Sequence, residues 1–129
     1  MKTHGVNILV ADDDASIREF VQAALEKLGH TVMTAEDGKD AIDLFAARPD
    51  FFQVVITDHN MPVVNGLELV QHLRQHNFKG KIIVASGFLT EELTMEYILK
   101  HVNNVIEKPF NIESFEKTID DLLDEGRVK

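Results

Sequence analysis

The feature that most restricts the fold is a short apolar run in the middle of the chain that ends in an aspartate. Val54, Val55, Ile56 and Thr57 are apolar or β-branched, and Asp58 follows them directly. Such a continuous run is typical of a strand buried on both faces, as in the middle of a parallel sheet. Asp58 then lies at the carboxyl end of the strand, where open α/β sheets bind ligands. Taken alone, an aspartate in this position more often caps the next turn, so the rest of the chain has to decide between the two interpretations.

Further apolar segments alternate with helical patterns along the chain. Short runs rich in valine, isoleucine or leucine predict strands at residues 7–11, 31–35, 52–57, 81–86 and 104–107. Strands that alternate with helices are typical of a parallel sheet with helices on both faces and right-handed crossovers. The sequence therefore predicts an α/β, doubly wound, flavodoxin-like fold with a five-stranded parallel sheet in the order 2-1-3-4-5.

The helices are predicted from apolar residues at helical spacing and from signals at their ends. In the first helix, Asp14 competes with a Ser16–Glu19 capping box for the N-cap, and Gly29 is the predicted C′ residue. Pro49 ends the second helix, and a polar end is predicted for residues 124–129. The positions predicted to face inward are Ile17, Phe20, Val21, Ala24, Leu25 and Leu28 in the first helix, Ile42, Phe45 and Ala46 in the second, Leu67, Val70 and Leu73 in the third, and Ile112, Phe115, Ile119, Leu122 and Leu123 in the last.

The composition agrees with one globular domain and argues against several kinds of partner. The 129 residues, 44% of them hydrophobic, suit a single domain over residues 1–129, with a core at about 7–123 and no output domain. A net charge of −9 repels nucleic acid phosphates and anionic lipid, so we expect neither nucleic acid nor a membrane as a direct partner. The chain has no cysteine, which excludes disulfides and thiolate metal sites and agrees with a cytoplasmic location.

Three aspartates come together if the predicted sheet is right. Asp12 and Asp13 follow the first strand and Asp58 the third, and these strands flank the switch point of the sheet. Close carboxylates raise one another's pKa, and Mg²⁺, which prefers oxygen ligands and phosphates, relieves that repulsion. Ser86 and Lys108 supply a hydroxyl and an ammonium at the same edge. Together these residues indicate phosphoryl chemistry, in which Asp58 serves as a carboxylate nucleophile.

At these positions the sequence resembles the receiver domain of response regulators, the CheY-like family of two-component signalling. The matching blocks follow the order of the family and lie at 8–13, at 57–62 with Gly66, at 84–87 and at 107–110. The resemblance implies that Asp58 accepts a phosphoryl group from a phosphohistidine on a sensor histidine kinase or a histidine phosphotransfer protein. It also implies that phosphorylation changes the face made by helix 4, strand 5 and helix 5, which a downstream target protein recognises.

The resemblance implies a metal site beside the phosphoacceptor. Asp13 and Asp58 would bind the ion directly, with the backbone carbonyl of Asn60 as the third protein ligand. Asp12 would act mainly through a metal-bound water. The expected cofactor is Mg²⁺, with Mn²⁺ as an alternative.

Two further residues of the site take switching roles by the same resemblance. Ser86 is the switch hydroxyl that turns toward the phosphoryl oxygen, and Lys108 pairs with the phosphate. The Lys108–Pro109 peptide bond is expected to be cis, a conformation that is essentially confined to X–Pro bonds. The domain is therefore expected to be a regulated switch that carries out self-phosphorylation and self-dephosphorylation, not a turnover enzyme.

Departures from the family pattern lie next to the site. Val105 stands where the family usually has an aromatic residue or histidine, so coupling to the output face is expected to be weaker or to run another way; core packing is the simpler interpretation of Val105. Gly87 leaves the phosphate edge open, and Phe88 covers the site or anchors a partner. Phe88 and Asn60 are expected to help set the lifetime of the phosphoryl group. His59 is expected to face solvent.

Three other interpretations stay open. Asp12-x-Asp14 after a strand resembles the motif of haloacid-dehalogenase-type phosphatases, although that family needs a larger core and usually a cap domain. The one feature that favours a receiver-like interaction module without phosphorylation is Val105, in place of the usual aromatic residue. His72 and His76 have the spacing of a metal-binding pair on one helix, but no third ligand is evident, and a solvated helix face is the simpler interpretation.

Overall fold

A computed structural model describes residues 5–87, 89–108 and 112–128, in which strands and helices alternate as predicted. Within these residues no helix is both long enough and apolar enough to cross a membrane. The strands are β1 (Asn7–Ala11), β2 (Thr31–Ala35), β3 (Val54–Thr57), β4 (Lys81–Ser86) and β5 (Asn104–Glu107), and the helices are α1 (Ala15–Lys27), α2 (Gly38–Ala47), α3 (Gly66–Gln75), α4 (Glu91–Leu99) and α5 (Ile112–Val128).

The strands form one parallel sheet in the order β2-β1-β3-β4-β5, which confirms the predicted topology. Ala11 of β1 lies opposite Thr57 of β3, and Thr57 lies opposite Val84 of β4. Ser86 and Glu107, the last residues of β4 and β5, are also opposite one another. This register brings the carboxyl ends of four strands to a common edge, so the residues that follow these strands meet there.

Side chains of the sheet alternate between two apolar cores, one on each face. In β3, Val54 and Ile56 join the core that α1 and α5 cover, whereas Val55 joins the core covered by α2, α3 and α4. Burying a side chain of this size contributes about 1.5–3 kcal/mol. The continuous apolar sequence of β3 therefore follows from its place in the middle of a sheet with helices on both faces.

The start of α1 corrects the predicted Ser16–Glu19 capping box. Asp14 is the N-cap: its backbone is extended, and its side chain accepts hydrogen bonds from the N–H groups of Ser16 (2.9 Å) and Ile17 (3.2 Å). A carboxylate here also interacts favourably with the helix dipole, which explains why Asp14 and not Ser16 is the cap. The predicted C′ glycine is confirmed, because Gly29 has a φ of +97° directly after the C-cap residue.

Several predicted details are wrong at the margins of elements. Phe20 is 37% exposed and Ala46 is exposed, because each lies at the edge of the apolar arc of its helix. β3 begins at Val54, since Phe52 packs into the core from the preceding turn. Helix α5 continues through the predicted polar end as far as Val128. The predictions outside the described residues concern Phe88, the Lys108–Pro109 bond, and the side chains of Ile112, Leu122 and Leu123.

Candidate functional site

The carboxyl-end edge of the sheet gathers the polar residues that the sequence predicts to form the site. Asp12 follows β1 and Asp58 follows β3, and the N–H of Asp58 donates to the carbonyl of Ala11 at 3.0 Å. The N–H of Lys108 likewise donates to the carbonyl of Ser86 at 2.8 Å. Sheet-like hydrogen bonding therefore continues one residue beyond the strands and fixes the positions from which these side chains project.

Three carboxylates converge at this edge. Asp12, Asp13 and Asp58 each place a carboxylate oxygen within 4.8 Å of the other two, and no other such cluster of three occurs in the part of the chain that the structure describes. Asp12 is 4% and Asp58 9% exposed. Burial raises the pKa of Asp12 above its ordinary value and the charge of Asp58 adds to the rise, although Lys108 and the N–H of Asp14 oppose it. The cluster fits a hard divalent cation, because a positive charge among oxygen ligands relieves this repulsion.

Lys108 bridges two of the three carboxylates. Its Nζ lies 2.7 Å from Oδ2 of Asp12 and 3.4 Å from Oδ2 of Asp58. Burial by itself lowers the pKa of Lys108, but the hydrogen bonds and charges of Asp12 and Asp58 outweigh it and raise the pKa above its ordinary value. The lysine is therefore charged and balances part of the negative charge at this edge.

Ser86 brings a buried hydroxyl to the same edge. Its side chain is fully buried, and Oγ has no hydrogen-bond partner among the described residues. Leaving a buried hydroxyl unpaired costs about 1–3 kcal/mol, and an arriving acceptor such as a phosphoryl oxygen would remove that cost. The next residue, Gly87, is exposed, and a Cβ built there would meet nothing within 4 Å. Among the described residues, nothing crowds the main chain directly after the serine.

The loop between β3 and α3 closes tightly behind Asp58. The N–H of His59 donates to Oδ1 of Asp58 at 2.7 Å, and the N–H of Gly66 donates to the carbonyl of His59 at 2.9 Å. A Cβ on Gly66 would lie 2.4 Å from the carbonyl oxygen of Asp58, so this close approach requires glycine. Asn60, whose carbonyl is a predicted metal ligand, is an exposed residue of the same loop. The main chain thus holds the Asp58 side chain from one side.

A hydrogen bond between this loop and α4 has no counterpart in the sequence predictions. The prediction that His59 faces solvent is wrong: its ring is half-buried, and Nδ1 lies 2.5 Å from the hydroxyl of Tyr97. The rings meet edge to face with centroids 5.7 Å apart, and Tyr97 is fully buried. The one available signal is the i, i+4 spacing of Leu93 and Tyr97, which puts both on one face of α4. It does not identify a partner 38 residues away.

Two further predictions concern Val105 and the histidine pair His72 and His76. Val105 is half-buried and packs against the same core as Tyr97, as expected for a core residue. The rings of His72 and His76 stack with centroids 3.9 Å apart, and Nδ1 of His76 lies 2.9 Å from the carbonyl oxygen of His72. One nitrogen of this pair is therefore engaged with the helix backbone.

The fold and the site define a class of protein: a doubly wound α/β domain with an acidic pocket, a buried hydroxyl and a lysine at the switch point of its sheet. The family model of the response regulator receiver domain matches residues 8–120. The chain therefore belongs to the response regulator receiver family, whose CheY-like members are signalling switches of two-component systems and not classical enzymes.

Individual relatives agree with this assignment. The chain is 36% identical to a chemotaxis protein CheY homolog of Campylobacter jejuni over 126 residues, which cover 94% of this chain and 95% of the relative. It is 34% identical to chemotaxis protein CheY1 of Helicobacter pylori, with 92% and 97% covered. Among solved structures, the chemotaxis response regulator CheY4 of Vibrio cholerae superposes with a TM-score of 0.82 at 32% identity, covering 92% of this chain and 98% of that one.

Proposed function

We propose that Asp58 accepts a phosphoryl group from a phosphohistidine on a sensor histidine kinase or a histidine phosphotransfer protein. The observation that carries the proposal is the position of the Lys108 ammonium, 2.7 Å from Asp12 and 3.4 Å from Asp58. A cation between carboxylates, beside a buried hydroxyl with no partner among the described residues, suits the oxygens of a phosphoryl group. Membership of the receiver family supports the same assignment.

In the proposed step, a carboxylate oxygen of Asp58 attacks phosphorus, so that an O–P bond forms while the N–P bond of the donor breaks. The electron pair of the broken bond stays on the imidazole nitrogen of the donor. Lys108 neutralises charge on the phosphoryl oxygens, and Ser86 donates its hydroxyl hydrogen to one of them. The N–H of His59 binds Oδ1 of Asp58, which leaves Oδ2 beside Lys108 as the candidate nucleophilic oxygen.

The proposed metal ligands are the side chains of Asp13 and Asp58 and the backbone carbonyl of Asn60, with Asp12 acting through water. Mg²⁺ or Mn²⁺ bound there supplies positive charge against the carboxylates and the incoming phosphoryl oxygens. The carboxylate oxygens of the three aspartates lie within 4.8 Å of one another, which supports this assignment.

The proposed consequence of phosphorylation is a change in the face made by α4, β5 and α5, which a downstream target protein recognises. Helix α4 has exposed apolar side chains, namely Met95, Ile98 and Leu99. A net charge of −9 disfavours nucleic acid or a membrane as the direct partner. A cytoplasmic location is part of the proposal, as is the restriction of the chain's own chemistry to gaining and losing this phosphoryl group.

The lifetime of the phosphoryl group is proposed to depend on residues at the carboxyl-end edge of the sheet. Access of water past Gly87 is part of the proposal, supported by a built Cβ that meets no described residue beyond its chain neighbours within 4 Å. Asn60 is exposed two residues after Asp58, where its side chain can reach an incoming water or a partner. A bulkier residue at 87 would therefore lengthen the lifetime.

Intact mass spectrometry after incubation with acetyl phosphate and Mg²⁺ tests the proposal. The wild-type chain is expected to gain one phosphoryl group, and Asp58→Asn none. Asp50→Asn is a matched control, because it replaces an exposed aspartate away from the carboxyl-end edge and should gain the group like the wild type. If the wild type binds Mg²⁺ yet gains no mass, the proposal fails and a phosphate-independent interaction module becomes the better reading.

A further inference from the structure

Helix α4 is attached to the domain through Tyr97 and, to a smaller extent, through Leu93, which is half-buried against the same core. Tyr97 is its one buried residue, whereas Met95, Ile98 and Leu99 are between 52% and 70% exposed. The Tyr97 ring packs in the core on that face of the sheet, and its hydroxyl reaches the loop between β3 and α3. The position of α4 therefore depends on the position of Tyr97.

The Tyr97 hydroxyl ends at the segment that carries the proposed phosphoacceptor. It lies 2.5 Å from Nδ1 of His59, the residue directly after Asp58. A Cβ built on Gly66 would lie 2.5 Å from this hydroxyl and 2.4 Å from the carbonyl oxygen of Asp58, so the space between them is filled. Because close-packed groups move together, a shift of the His59 ring has to be followed by Tyr97.

The tyrosine remains a neutral hydrogen-bonding group in this place. Burial raises the pKa of Tyr97, and the negative charges of Asp58 and Glu96 raise it further. A neutral phenol can donate its hydrogen to an imidazole nitrogen, which a phenolate cannot do. The link between α4 and the loop is thus a directional hydrogen bond as well as a packing contact.

The backbone of His59 is also hydrogen-bonded to the side chain of Asp58. Its N–H donates to Oδ1 of Asp58 at 2.7 Å, a hydrogen bond that the carboxylate charge strengthens. When one oxygen of Asp58 bonds to phosphorus, the carboxyl group loses that charge and the hydrogen bond weakens. The chemical state of Asp58 therefore acts first on the backbone of His59.

We propose that the Tyr97–His59 hydrogen bond couples the phosphorylation state of Asp58 to the position of helix α4. The inference rests on the phosphoacceptor function proposed above and assigns the route by which that site reaches the exposed face of α4. Val105 cannot provide a comparable polar link, because its side chain has neither a ring nor a hydroxyl. Tyr97 is thus a positioning residue that acts through His59, and it takes no part in the transfer of the phosphoryl group.

The test combines two readouts on Tyr97→Phe, which removes the hydroxyl and keeps the buried ring. Intact mass after acetyl phosphate and Mg²⁺ reports phosphoryl acceptance, and amide chemical shifts of residues 91–99, with and without beryllium fluoride and Mg²⁺ as a phosphoryl mimic, report the response of α4. The variant is expected to gain the phosphoryl group but to lose most of the α4 response, since loss of one neutral hydrogen bond changes the ratio of two states about fivefold.

Controls separate coupling from a general loss of structure. Thr94→Val removes a hydroxyl from α4 that has no hydrogen bond to His59 in the described part of the chain, where the His59 ring bonds to Tyr97, and it should respond like the wild type. His59→Phe removes the ring nitrogen that bonds to Tyr97 and keeps a ring. It should lose the response as Tyr97→Phe does, and it decides the question if Tyr97→Phe does not fold. The double variant should lose no more than either single one, because both remove the same bond.

The outcomes distinguish the two proposals. An α4 response equal to that of the wild type in Tyr97→Phe or His59→Phe overturns the coupling, and so do additive losses in the double variant. A wild-type chain that gains no phosphoryl group overturns the proposed function instead. Retained phosphoryl gain with a lost α4 response in both single variants supports the inference.

Discussion

Helices α3 and α4 lie on the same face of the sheet, but they are held in very different ways. Helix α3 is buried at four positions, including Leu69 and Leu73, and begins with a reciprocal capping box between Asn65 and Glu68. Helix α4 has one buried residue, Tyr97. Helix α3 is therefore firmly packed, whereas α4 is held mainly by Tyr97, with the half-buried Leu93 beside it, and presents an apolar surface.

The difference shows how a small domain combines a fixed site with a responsive surface. The loop after Asp58 leads directly into α3, so firm packing of α3 fixes the acidic pocket. Few buried apolar contacts allow α4 to open or shift at low cost, as expected for elements that respond to a ligand. The Tyr97–His59 hydrogen bond is where the two helices are linked to the same loop.

The largest expected effect is on folding stability when α3 loses a buried side chain. Leu73→Ala should lower the free energy of unfolding by about 2–5 kcal/mol, because it leaves a cavity in a closed core. Leu99→Ala in α4, where the side chain is exposed, should change it by no more than about 0.5 kcal/mol. Urea unfolding followed by circular dichroism measures both, and similar losses in the two variants would break the contrast between the helices.

A methyl group at the start of α3 tests the point where the two helices meet. Gly66→Ala puts a Cβ against the carbonyl oxygen of Asp58 and the hydroxyl of Tyr97, and such overpacking should cost roughly 1–3 kcal/mol. Gly87→Ala is the matched control for stability, because its Cβ would meet nothing within 4 Å. Equal unfolding free energies for the two alanine variants would show that the loop can yield.

Hydrogen exchange should separate the two helices within the unmodified domain. Amides of residues 95–99 are expected to exchange through local opening at a free energy at least about 1 kcal/mol below that of residues 69–73, since fewer buried groups hold α4. Exchange followed by NMR at constant pH measures both sets. Equal protection would mean that α4 opens only with the whole domain.

The smallest expected effect is a loss of folding stability at acidic pH, which should lower the exchange protection of α3 but not that of α4. Burial lowers the pKa of His30 below its ordinary value of 6.5, although the charge of Asp120 on α5 opposes the shift. A group with a lowered folded-state pKa contributes stability that is present above pH 6.5 and is lost as the pH falls below that value toward the folded-state pKa. As the pH is lowered through this range, the exchange protection of α3 should therefore decrease, while that of α4 should not.

A variant pair isolates this histidine. His30 Nδ1 accepts a hydrogen bond from the N–H of Val6 at 3.1 Å, and His30→Asn keeps an acceptor while removing the titration. The free energy of unfolding of this variant, measured by urea unfolding, should decrease less at acidic pH than that of the wild type. His101→Asn, at an exposed position with a φ of +65° that asparagine tolerates, should show the same decrease as the wild type. A decrease in His30→Asn equal to that of the wild type would assign the pH dependence to other groups.

The sheet and the residues at its edge could be predicted from the sequence because their signals are local. An apolar run such as Val54–Thr57 defines a central strand, and its polar successor Asp58 then has to lie at the carboxyl-end edge. The same reasoning predicts the positions of Asp12 and Lys108, which the structure brings within hydrogen-bonding distance of each other.

The features that could not be predicted from the sequence depend on contacts between residues far apart along the chain, or on neighbouring residues that compete for the same role. The partner of His59 is 38 residues away on a helix whose apolar pattern is irregular, so no local rule identifies Tyr97. Asp14 and Ser16 are both good caps, and the choice depends on where the backbone leaves its extended conformation. Phe20 lies at the margin of a stripe, where burial is decided by the neighbouring elements.

Chemical trapping of the phosphorylated residue shows directly whether Asp58 is the phosphoacceptor. Borohydride reduces an aspartyl phosphate to homoserine, so treatment of the protein after acetyl phosphate and Mg²⁺, followed by peptide mass spectrometry, identifies the residue that carried the group. We expect homoserine at Asp58 and an unchanged aspartate at Asp12 and Asp13. Homoserine at Asp12 would indicate the nucleophile of a phosphatase-type site, and its absence from Asp58 in a chain that binds Mg²⁺ would rule out Asp58 as the phosphoacceptor.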